Sequence, residues 1–394
     1  MTVPLRTTVA DIDLDAIAAN VGALVAASQV RVIAVVKADA YGHGADAVSH
    51  TAVVAGASAL AVATVEEGLV LRRQGVAAPI LVLLGAQSAD EIAAAVDAGL
   101  SLTVWTVVGA KRVAAAGRAA GRRAGVQFKV DTGLTRLGAP AAEAVECYRA
   151  IAPLAGLSVD GIFTHLASAD QADTESARDQ LARFDGVLDG IGALPEWVHA
   201  SASAGTAAFA PFGPAGAGAR ITAIRPGLAV YGLSPAPHLA ARLPLRPALS
   251  WRSRIHRIAT VPPGTGIGYG HEYRTVAAAR IATVPVGYGD GIPRAAMGRL
   301  RLLVGGLPVP IVGRISMDHV MLDVTDQPGA AEGDEVVVIG TQAAAVQTAE
   351  DVAEALGTIS YEVVTGIRAR VPRRYLRGSR LVGVKTLAEG FSWS

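Results

Sequence analysis

The sequence predicts an α/β protein in which a parallel (β/α)8 barrel over residues 1–240 is followed by a mainly antiparallel β domain over residues 241–394. Short apolar runs alternate with alanine-rich helical stretches from residue 31 to about residue 230. After about residue 245 the runs are short, often alternate with polar residues and are separated by turns. Eight strands, each coupled to a helix within about 200 residues, are typical of a closed TIM-type barrel rather than an open sheet.

The elements of the barrel follow from these runs in order. The opening ADIDLDAIAANVGAL has Asp13 ahead of an apolar-periodic run, so we predict a helix before the first barrel strand. A mobile loop is predicted over Pro211–Gly218, which is rich in glycine, alanine and proline. The predicted strands span residues 31–37, 59–64, 79–84, 101–105, 126–131, 158–164, 196–201 and 222–225, and the predicted helices between them span 45–56, 66–74, 88–98, 107–124, 141–152 and 175–192.

The second domain is predicted to begin after PGLAVYGLSPAP, a segment rich in proline and glycine. A helix is predicted at residues 348–356, followed by a strand in RARVPRRYL. A second domain on a barrel can supply the other half of a cleft. Its antiparallel strands are predicted in SRIHRIATV, ARIATVPV, RLRLLV, PVPIVGRI, HVMLDV and DEVVVIG.

Composition excludes several classes of partner. The 394 residues include 35 basic and 34 acidic side chains, a net charge of +1 that gives no hint of a nucleic acid or a membrane surface as partner. No apolar run reaches the roughly 18 residues that span a bilayer. The single cysteine, Cys147, excludes an internal disulfide and a cysteine-cluster metal site, and no metal is expected. Because the N-terminal segment has no secretory pattern, we expect a cytoplasmic protein.

Chemistry is predicted in the stretch AVVKADAYGHG, residues 34–44, where Lys37 closes an apolar run. A lysine that caps a strand is usually a surface residue. Beside apolar walls, however, the charged form loses hydration, so the pKa falls from about 10.4 and the amine can attack a carbonyl. Lys37 is therefore a candidate Schiff-base lysine. In a barrel the reactive groups belong at the carboxyl ends of the strands, and the polar residues at or just beyond the ends of apolar runs are Lys37, Asp131, His165, Ser201, Ser203 and Arg225.

This stretch resembles the pyridoxal-phosphate lysine motif of alanine racemases, and the resemblance extends from about residue 9 to residue 376. It implies an isomerase that interconverts L-alanine and D-alanine, with pyridoxal 5'-phosphate as cofactor, in a homodimer with shared active sites. The D-alanine would supply the peptidoglycan of the cell wall. Lys37 would hold the cofactor, and Tyr41, four residues later, would touch its phosphate.

Inversion of an α carbon requires one base on each face of the substrate. Lys37 can serve one face. The resemblance implies that Tyr269, in GTGIGYGHEY, is the second base and is delivered by the partner subunit. A tyrosine with an ordinary pKa of about 10 is a poor base at neutral pH, so nearby positive charge would have to stabilise its phenolate.

The resemblance also assigns the remaining site residues. Arg225, in IRPGLAVYG, would contact the pyridine nitrogen, and His165 would lie near it. Arginine does not give up its proton readily, so the ring would be a weaker electron sink than one that faces aspartate. The phosphate site would comprise Tyr41, Ser203, the backbone of Gly227 and Leu228, and Tyr361. Arg136 would lie near the substrate carboxylate, and Met317 and Asp318 would bind substrate. Lys129 is a candidate for carbamylation, and Tyr288 would line the entrance.

One departure and several alternatives remain. Ala202 stands where the family usually has asparagine, which removes an amide near the cofactor; Ser201 is the candidate to compensate. A racemase of the same architecture could act on another amino acid, such as serine. A non-catalytic pyridoxal-phosphate carrier would share the barrel but lack the β domain. A related decarboxylase would need a catalytic cysteine near its C-terminus, whereas Cys147 lies in the barrel half.

Overall fold

The computed structural model describes residues 5–213 and 218–393. The chain forms two compact units. The barrel unit comprises Ala16–Ala40 and Ala45–Pro247, and the β unit comprises Met1–Asp15, Tyr41–Gly44 and Ala248–Ser394. Half of the loop predicted over Pro211–Gly218, residues 214–217, lies outside the described residues. In the described part of the chain, no helix is long and apolar enough to cross a membrane.

Most predicted helices begin and end close to the predicted residues, but the helix predicted over residues 107–124 ends at Ala119, and Ser203–Phe209 and Ser360–Thr365 were not predicted. Strands β1–β10 span Val9–Asp13, Arg31–Val35, Ala59–Val62, Ile80–Val82, Ser101–Val104, Ala124–Asp131, Ala139–Pro140, Leu157–Phe163, Trp197–His199 and Ala223–Ile224. Strands β11–β23 span Leu249–Arg254, Arg257–Val261, Gly266–Ile267, Tyr273–Arg274, Ala279–Val284, Arg301–Val304, Leu307–Val312, Val320–Asp323, Glu335–Gln342, Ala345–Gln347, Arg373–Arg377, Arg380–Thr386 and Gly390–Trp393. The α-helices span Leu14–Ser28, Ala45–Val54, Val65–Arg73, Ala89–Asp97, Val107–Ala119, Ala141–Ile151, Glu175–Ile191, Ser203–Phe209, Ala349–Leu356 and Ser360–Thr365.

Eight parallel strands of the described residues close into a barrel in the order β2-β3-β4-β5-β6-β8-β9-β10, and β10 pairs with β2 again. The predicted (β/α)8 barrel is thereby confirmed. The strands are short and apolar; β3 and β4 are buried along their whole length. Two of the outer helices begin at capping boxes, with Thr64 and Glu67 at one and Ser88 and Glu91 at the other, which satisfy the first N–H groups of each helix.

The β unit is mainly antiparallel, as predicted. Its main sheet has the order β12-β15-β18-β17-β16-β19-β11-β1-β21-β22-β23. The helix predicted behind Asp13 is present and begins at Leu14, but the residues before it, Val9–Asp13, form a strand between β11 and β21 that was not predicted. Both edges of this strand find ladder partners far along the chain, and Ala10 and Ile12 are fully buried. Strand formation here depends on that long-range pairing rather than on a local pattern.

Candidate active site

The loop after β2 holds Lys37 in an unusual backbone. The strand ends at Val35, and the residues Ala38–Tyr41 all have φ near +52° to +54°, the left-handed region. Each L-residue in that region costs about 1–2 kcal/mol. Glu67 holds the turn, since its carboxylate accepts hydrogen bonds from the backbone N–H of Ala38 at 2.6 Å and of Ala63 at 2.7 Å. Strain of this kind persists only where the surroundings fix it, and it is concentrated at functional sites.

The amine of Lys37 is half-buried at the end of the barrel. Burial lowers the pKa of Lys37, the nearby guanidinium of Arg136 lowers it further, and the carboxylate of Glu67 acts in the opposite direction. A lower pKa raises the fraction of the amine that is neutral and able to act as a nucleophile or a base.

Arg225 is the centre of a buried hydrogen-bond network one residue beyond β10. Its guanidinium donates to the carbonyl of Thr164 at 2.8 Å, to Nδ1 of His165 at 3.2 Å and to Nδ1 of His199. Nε2 of His199 lies 2.6 Å from the side-chain oxygen of Gln127. Because a guanidinium only donates, both Nδ1 atoms must accept, and each ring carries its proton on Nε2. Both histidines are therefore held neutral.

Burial and the surrounding positive charges also keep these two histidines neutral, because both lower the histidine pKa. Burial and the charge of Arg225 lower the pKa of His165 to about 3 and place that of His199 well below its ordinary value. Burial also lowers the pKa of Arg225 to about 9. The ring of Phe163 lies beside two of the cations, with Nζ of Lys129 5.6 Å and Cζ of Arg225 4.8 Å from its centroid.

Positive charge accumulates at this end of the barrel. Burial lowers the pKa of Lys129 to about 8, Arg225, Arg136 and Lys37 reinforce the shift, and Asp131 opposes it. The carboxylate of Asp131 is already engaged, since it accepts from the backbone N–H groups of three residues of the following loop at 2.9–3.1 Å. The cluster therefore has more cations than free carboxylates, and an anion is the ligand that would balance it.

Two short helical segments begin beside Ser203. The N–H groups of Gly227 and Ala229 donate to its hydroxyl at 3.0 and 3.1 Å, so the donor of Gly227 that the sequence assigned to a phosphate is engaged within the protein. The hydroxyl of Ser203 thus caps the first turn of the 3-10 segment Leu228–Tyr231, whereas the helix Ser203–Phe209 has no side-chain cap at its start. The buried hydroxyl of Ser201 has no hydrogen-bond partner among the described residues. The uncapped start of this one helix and the unsatisfied buried hydroxyl suit a phosphate group.

In the β unit, Tyr41 and Tyr361 lie together. Their ring centroids are 6.0 Å apart and the planes are tilted by 48°. Tyr41 is buried, and burial, with a smaller effect of Tyr361, raises its pKa. The guanidinium of Arg373 fixes the loop beside Tyr41, because it donates to the carbonyl of Gly42 at 3.0 Å. The two tyrosines that the sequence assigned to the phosphate are thus brought together.

The two predicted entrance segments of the β unit are also neighbours. The N–H of Tyr288 donates to the carbonyl of Ser316 at 3.1 Å, and Gly289 donates to that of Met317 at 2.9 Å. Asp318 accepts from Arg370 at 2.5 Å, so its carboxylate is paired within the chain. Met317 and Tyr288 are exposed.

Tyr269 lies on a turn of the β unit between β13 and β14, and it is 71% exposed. The residues flanking it are glycines with positive φ, 70° at Gly268 and 73° at Gly270. Lys37, the other candidate base, belongs to the barrel unit.

Sequence reasoning missed four residues of the site. Glu67 could have been found from its capping box, although not its hydrogen bond to the Lys37 loop. His199 ends an apolar run, which is the same signal that identified His165. Gln127 and Phe163 lie within strands of the barrel, where no local pattern separates a site residue from a core residue.

The comparisons with known proteins agree along nearly the whole chain. Residues 12–235 match the family model described as alanine racemase, N-terminal domain, and residues 248–375 match alanine racemase, C-terminal domain. An alanine racemase from Symbiobacterium thermophilum is 42% identical over 375 residues, which are 94% of this chain and 97% of the relative. One from Desulfosudis oleivorans is 42% identical over 382 residues, 94% of this chain and 97% of the relative.

Solved structures give the same result. The alanine racemase from Bacillus anthracis with bound L-Ala-P matches with a TM-score of 0.89 and 36% identity, over 98% of this chain and 99% of the other. The alanine racemase from the D-cycloserine producer Streptomyces lavendulae matches with a TM-score of 0.86 and 40% identity, over 96% of this chain and 98% of the other.

Proposed function

The chain belongs to the alanine racemase family, and we propose that it interconverts L-alanine and D-alanine with pyridoxal 5'-phosphate as cofactor. The observation that carries this proposal is the cluster at the end of the barrel, where a lysine that precedes a strained turn belongs to a group with an excess of positive charge, including the buried cations Lys129 and Arg225. We further propose a cytoplasmic homodimer with shared active sites that supplies D-alanine for peptidoglycan.

The residues present fit the cofactor. Excess positive charge around Lys37 suits a phosphorylated anion, and the unsatisfied hydroxyl of Ser201 offers a further polar contact in place of the amide absent at Ala202. Bound pyridoxal phosphate supplies the electron sink that makes the α hydrogen of an amino acid removable. The residues that would hold it are Lys37, Tyr41, His165, Ser203, Arg225, Gly227, Leu228 and Tyr361.

The proton transfers would be shared between two side chains. Nζ of Lys37 would take or return the proton on one face of the substrate, and the phenol of Tyr269 would act on the other face. Arg225 has five N–H groups and donates to three acceptors within the protein, so it would still have a donor for the cofactor nitrogen. Because arginine gives up a proton only reluctantly, it would keep its own. Arg136, Met317 and Asp318 would contact the substrate, Tyr288 would line the entrance, and Lys129 would be the carbamylated residue.

The test is racemisation by the purified protein across a panel of amino acids that includes serine, together with α-proton exchange in deuterated water. We expect alanine to be the best substrate. Tyr269→Phe should suppress exchange on L-alanine much more than on D-alanine, because only the L face would lose its base. Equal losses for both isomers, or a preference for another amino acid, would contradict the proposal.

Lys37→Ala is the control for the opposite face and for cofactor attachment. Borohydride reduction of the protein with pyridoxal phosphate should fix the cofactor to Lys37 in the wild type and leave the variant unlabelled. Label on another lysine of the wild type would refute the assignment of Lys37.

A further inference from the structure

The turn that carries Tyr269 packs against Met321, whose methyl group would lie 2.8 Å from a Cβ on Gly268, and against one arginine of the neighbouring segment. A Cβ placed on Gly268 would lie 3.3 Å from both the backbone nitrogen and the backbone oxygen of Arg314. A Cβ on Gly270 would lie 3.1 Å from the Arg314 guanidinium. The same guanidinium is ion-paired with Glu272. Arg314 therefore contacts the turn immediately before Tyr269, immediately after it and again three residues later.

The backbone of this turn is one that other residues cannot easily adopt. Gly268, Gly270 and His271 have φ of 70°, 73° and 47°. Gly313, which precedes the arginine, has φ of 67°, and a Cβ there would lie 2.6 Å from the carbonyl of Ile267. The turn and the segment at 313–314 thus pack so closely that there is no room for a side chain at Gly268 or Gly313.

Tyr269 has little packing of its own. Its side chain is 71% exposed, whereas Ile267 is buried in a small cluster with Ala279, Ile281 and Val312. The position of the phenol therefore depends on the backbone of the turn, and that backbone is held from outside the cluster by Arg314.

The ion pair itself contributes little to stability. The side chains of Arg314 and Glu272 are 39% and 40% exposed, and water screens the charges of such a pair. Their mutual hydrogen bond lowers the pKa of Glu272 and raises that of Arg314, so both remain charged at neutral pH. Removal of either partner should therefore leave the fold intact and alter only the geometry of the turn.

We propose that Arg314 and Glu272 are positioning residues for Tyr269, and that their ion pair fixes the turn from which the phenol reaches the substrate. The inference rests on the proposed function, in which Tyr269 is the base for one face of alanine. A positional error of about 1 Å can cost on the order of 100-fold in rate. The error would affect only the face that Tyr269 serves.

The experiment compares α-proton exchange on L-alanine and on D-alanine for Arg314→Ala, Arg314→Lys and Glu272→Gln. We expect Arg314→Ala to slow exchange on L-alanine by about 10- to 100-fold and exchange on D-alanine by no more than about twofold. Arg314→Lys keeps the charge without the planar fork, so its loss on L-alanine should be intermediate. Glu272→Gln should act in the same direction as Arg314→Ala.

The matched control is Glu335→Gln, which removes another ion pair of the β unit, with Arg252 at 2.9 Å, on a different strand pair. It should leave both exchange rates near wild type. Equal losses on the two isomers in the Arg314 and Glu272 variants, or no loss, would overturn the inference. If the wild type does not racemise alanine or Tyr269→Phe shows no asymmetry, the proposed function fails instead.

Discussion

Arg225 determines the protonation of two histidines as well as binding them. His199 is completely buried between Arg225 and Gln127, and its ring stacks on Phe163 with the centroids 4.9 Å apart. A proton added to Nδ1 would break the hydrogen bond from the guanidinium and bring two positive charges together. The folded protein therefore resists protonation of His199 and His165, whereas the unfolded chain takes up these protons near pH 6.5.

This arrangement predicts how stability depends on pH. The histidine pKa values are depressed in the folded state, so their contribution is present above pH 6.5 and is lost as pH falls from there toward about 3. Each such histidine adds a slope of up to about 1.4 kcal/mol per pH unit. We expect His199→Gln to flatten the fall in the free energy of unfolding between pH 6.5 and 4.5, measured by urea denaturation.

His256→Gln is the control, because that side chain is exposed on the surface of the β unit. Its slope should match that of the wild type. A His199→Gln variant with an unchanged slope would show that His199 is charged in the folded protein.

Only those site residues that stand in a recognisable local sequence pattern could be predicted from the sequence. Polar residues at the ends of apolar runs identified Lys37, His165 and Arg225, which the structure has within two residues of a strand end. Gln127 could not be found in this way, because its contact with His199 joins residues 72 positions apart and depends on β6 and β9 lying on the two sides of β8 in the barrel.

The left-handed turn after Lys37 could not be predicted either, because its conformation also depends on a residue far away in the chain. KADAY contains no glycine, so the sequence has no local signal for consecutive positive φ values. The conformation is fixed by Glu67, 29 residues away, which holds the N–H of Ala38. The barrel strands, in contrast, were predicted to within about two residues at each end, because burial periodicity is local to each strand. The helix predicted over residues 107–124 ends at Ala119, and the short helices Ser203–Phe209 and Ser360–Thr365 were not predicted. The strand Val9–Asp13 was missed for the opposite reason, since its partners lie more than 200 residues away.

The strain in this turn predicts that replacing alanine by glycine stabilises the protein at Ala38 and destabilises it at Ala115. Ala38 is exposed with φ of 52° and ψ of 51°. Ala38→Gly should relieve about 1–2 kcal/mol of backbone strain in the folded state. Glycine also makes the unfolded chain more flexible, which lowers the free energy of unfolding by about 0.4–1 kcal/mol, so the net increase in that free energy should be about 0.5 kcal/mol. Ala115→Gly, at an exposed position in the helix Val107–Ala119, should cost about 1 kcal/mol.

Denaturant titration of the two variants measures this difference. A loss of stability in Ala38→Gly equal to that of Ala115→Gly would contradict the left-handed backbone after Lys37.

In the whole molecule, the two candidate bases belong to different compact units, Lys37 to the barrel unit and Tyr269 to the β unit. A two-fold symmetric dimer contains two identical sites, and each would combine Lys37 of one subunit with Tyr269 of the other. A subunit that lacks one base could then be complemented by a subunit that lacks the other. This distinguishes a shared site from a site built within one chain.

The prediction is that Lys37→Ala and Tyr269→Phe, each inactive in L-alanine racemisation alone, regain activity when unfolded together and refolded as a mixture. Random pairing in equal amounts gives half heterodimers, and each heterodimer has one intact site of two, so about a quarter of wild-type activity should return. Each variant refolded alone is the control for incomplete inactivation. A mixture no more active than these controls would mean that Lys37 and Tyr269 of the same chain serve the same substrate, and the proposed sharing of sites would have to be abandoned.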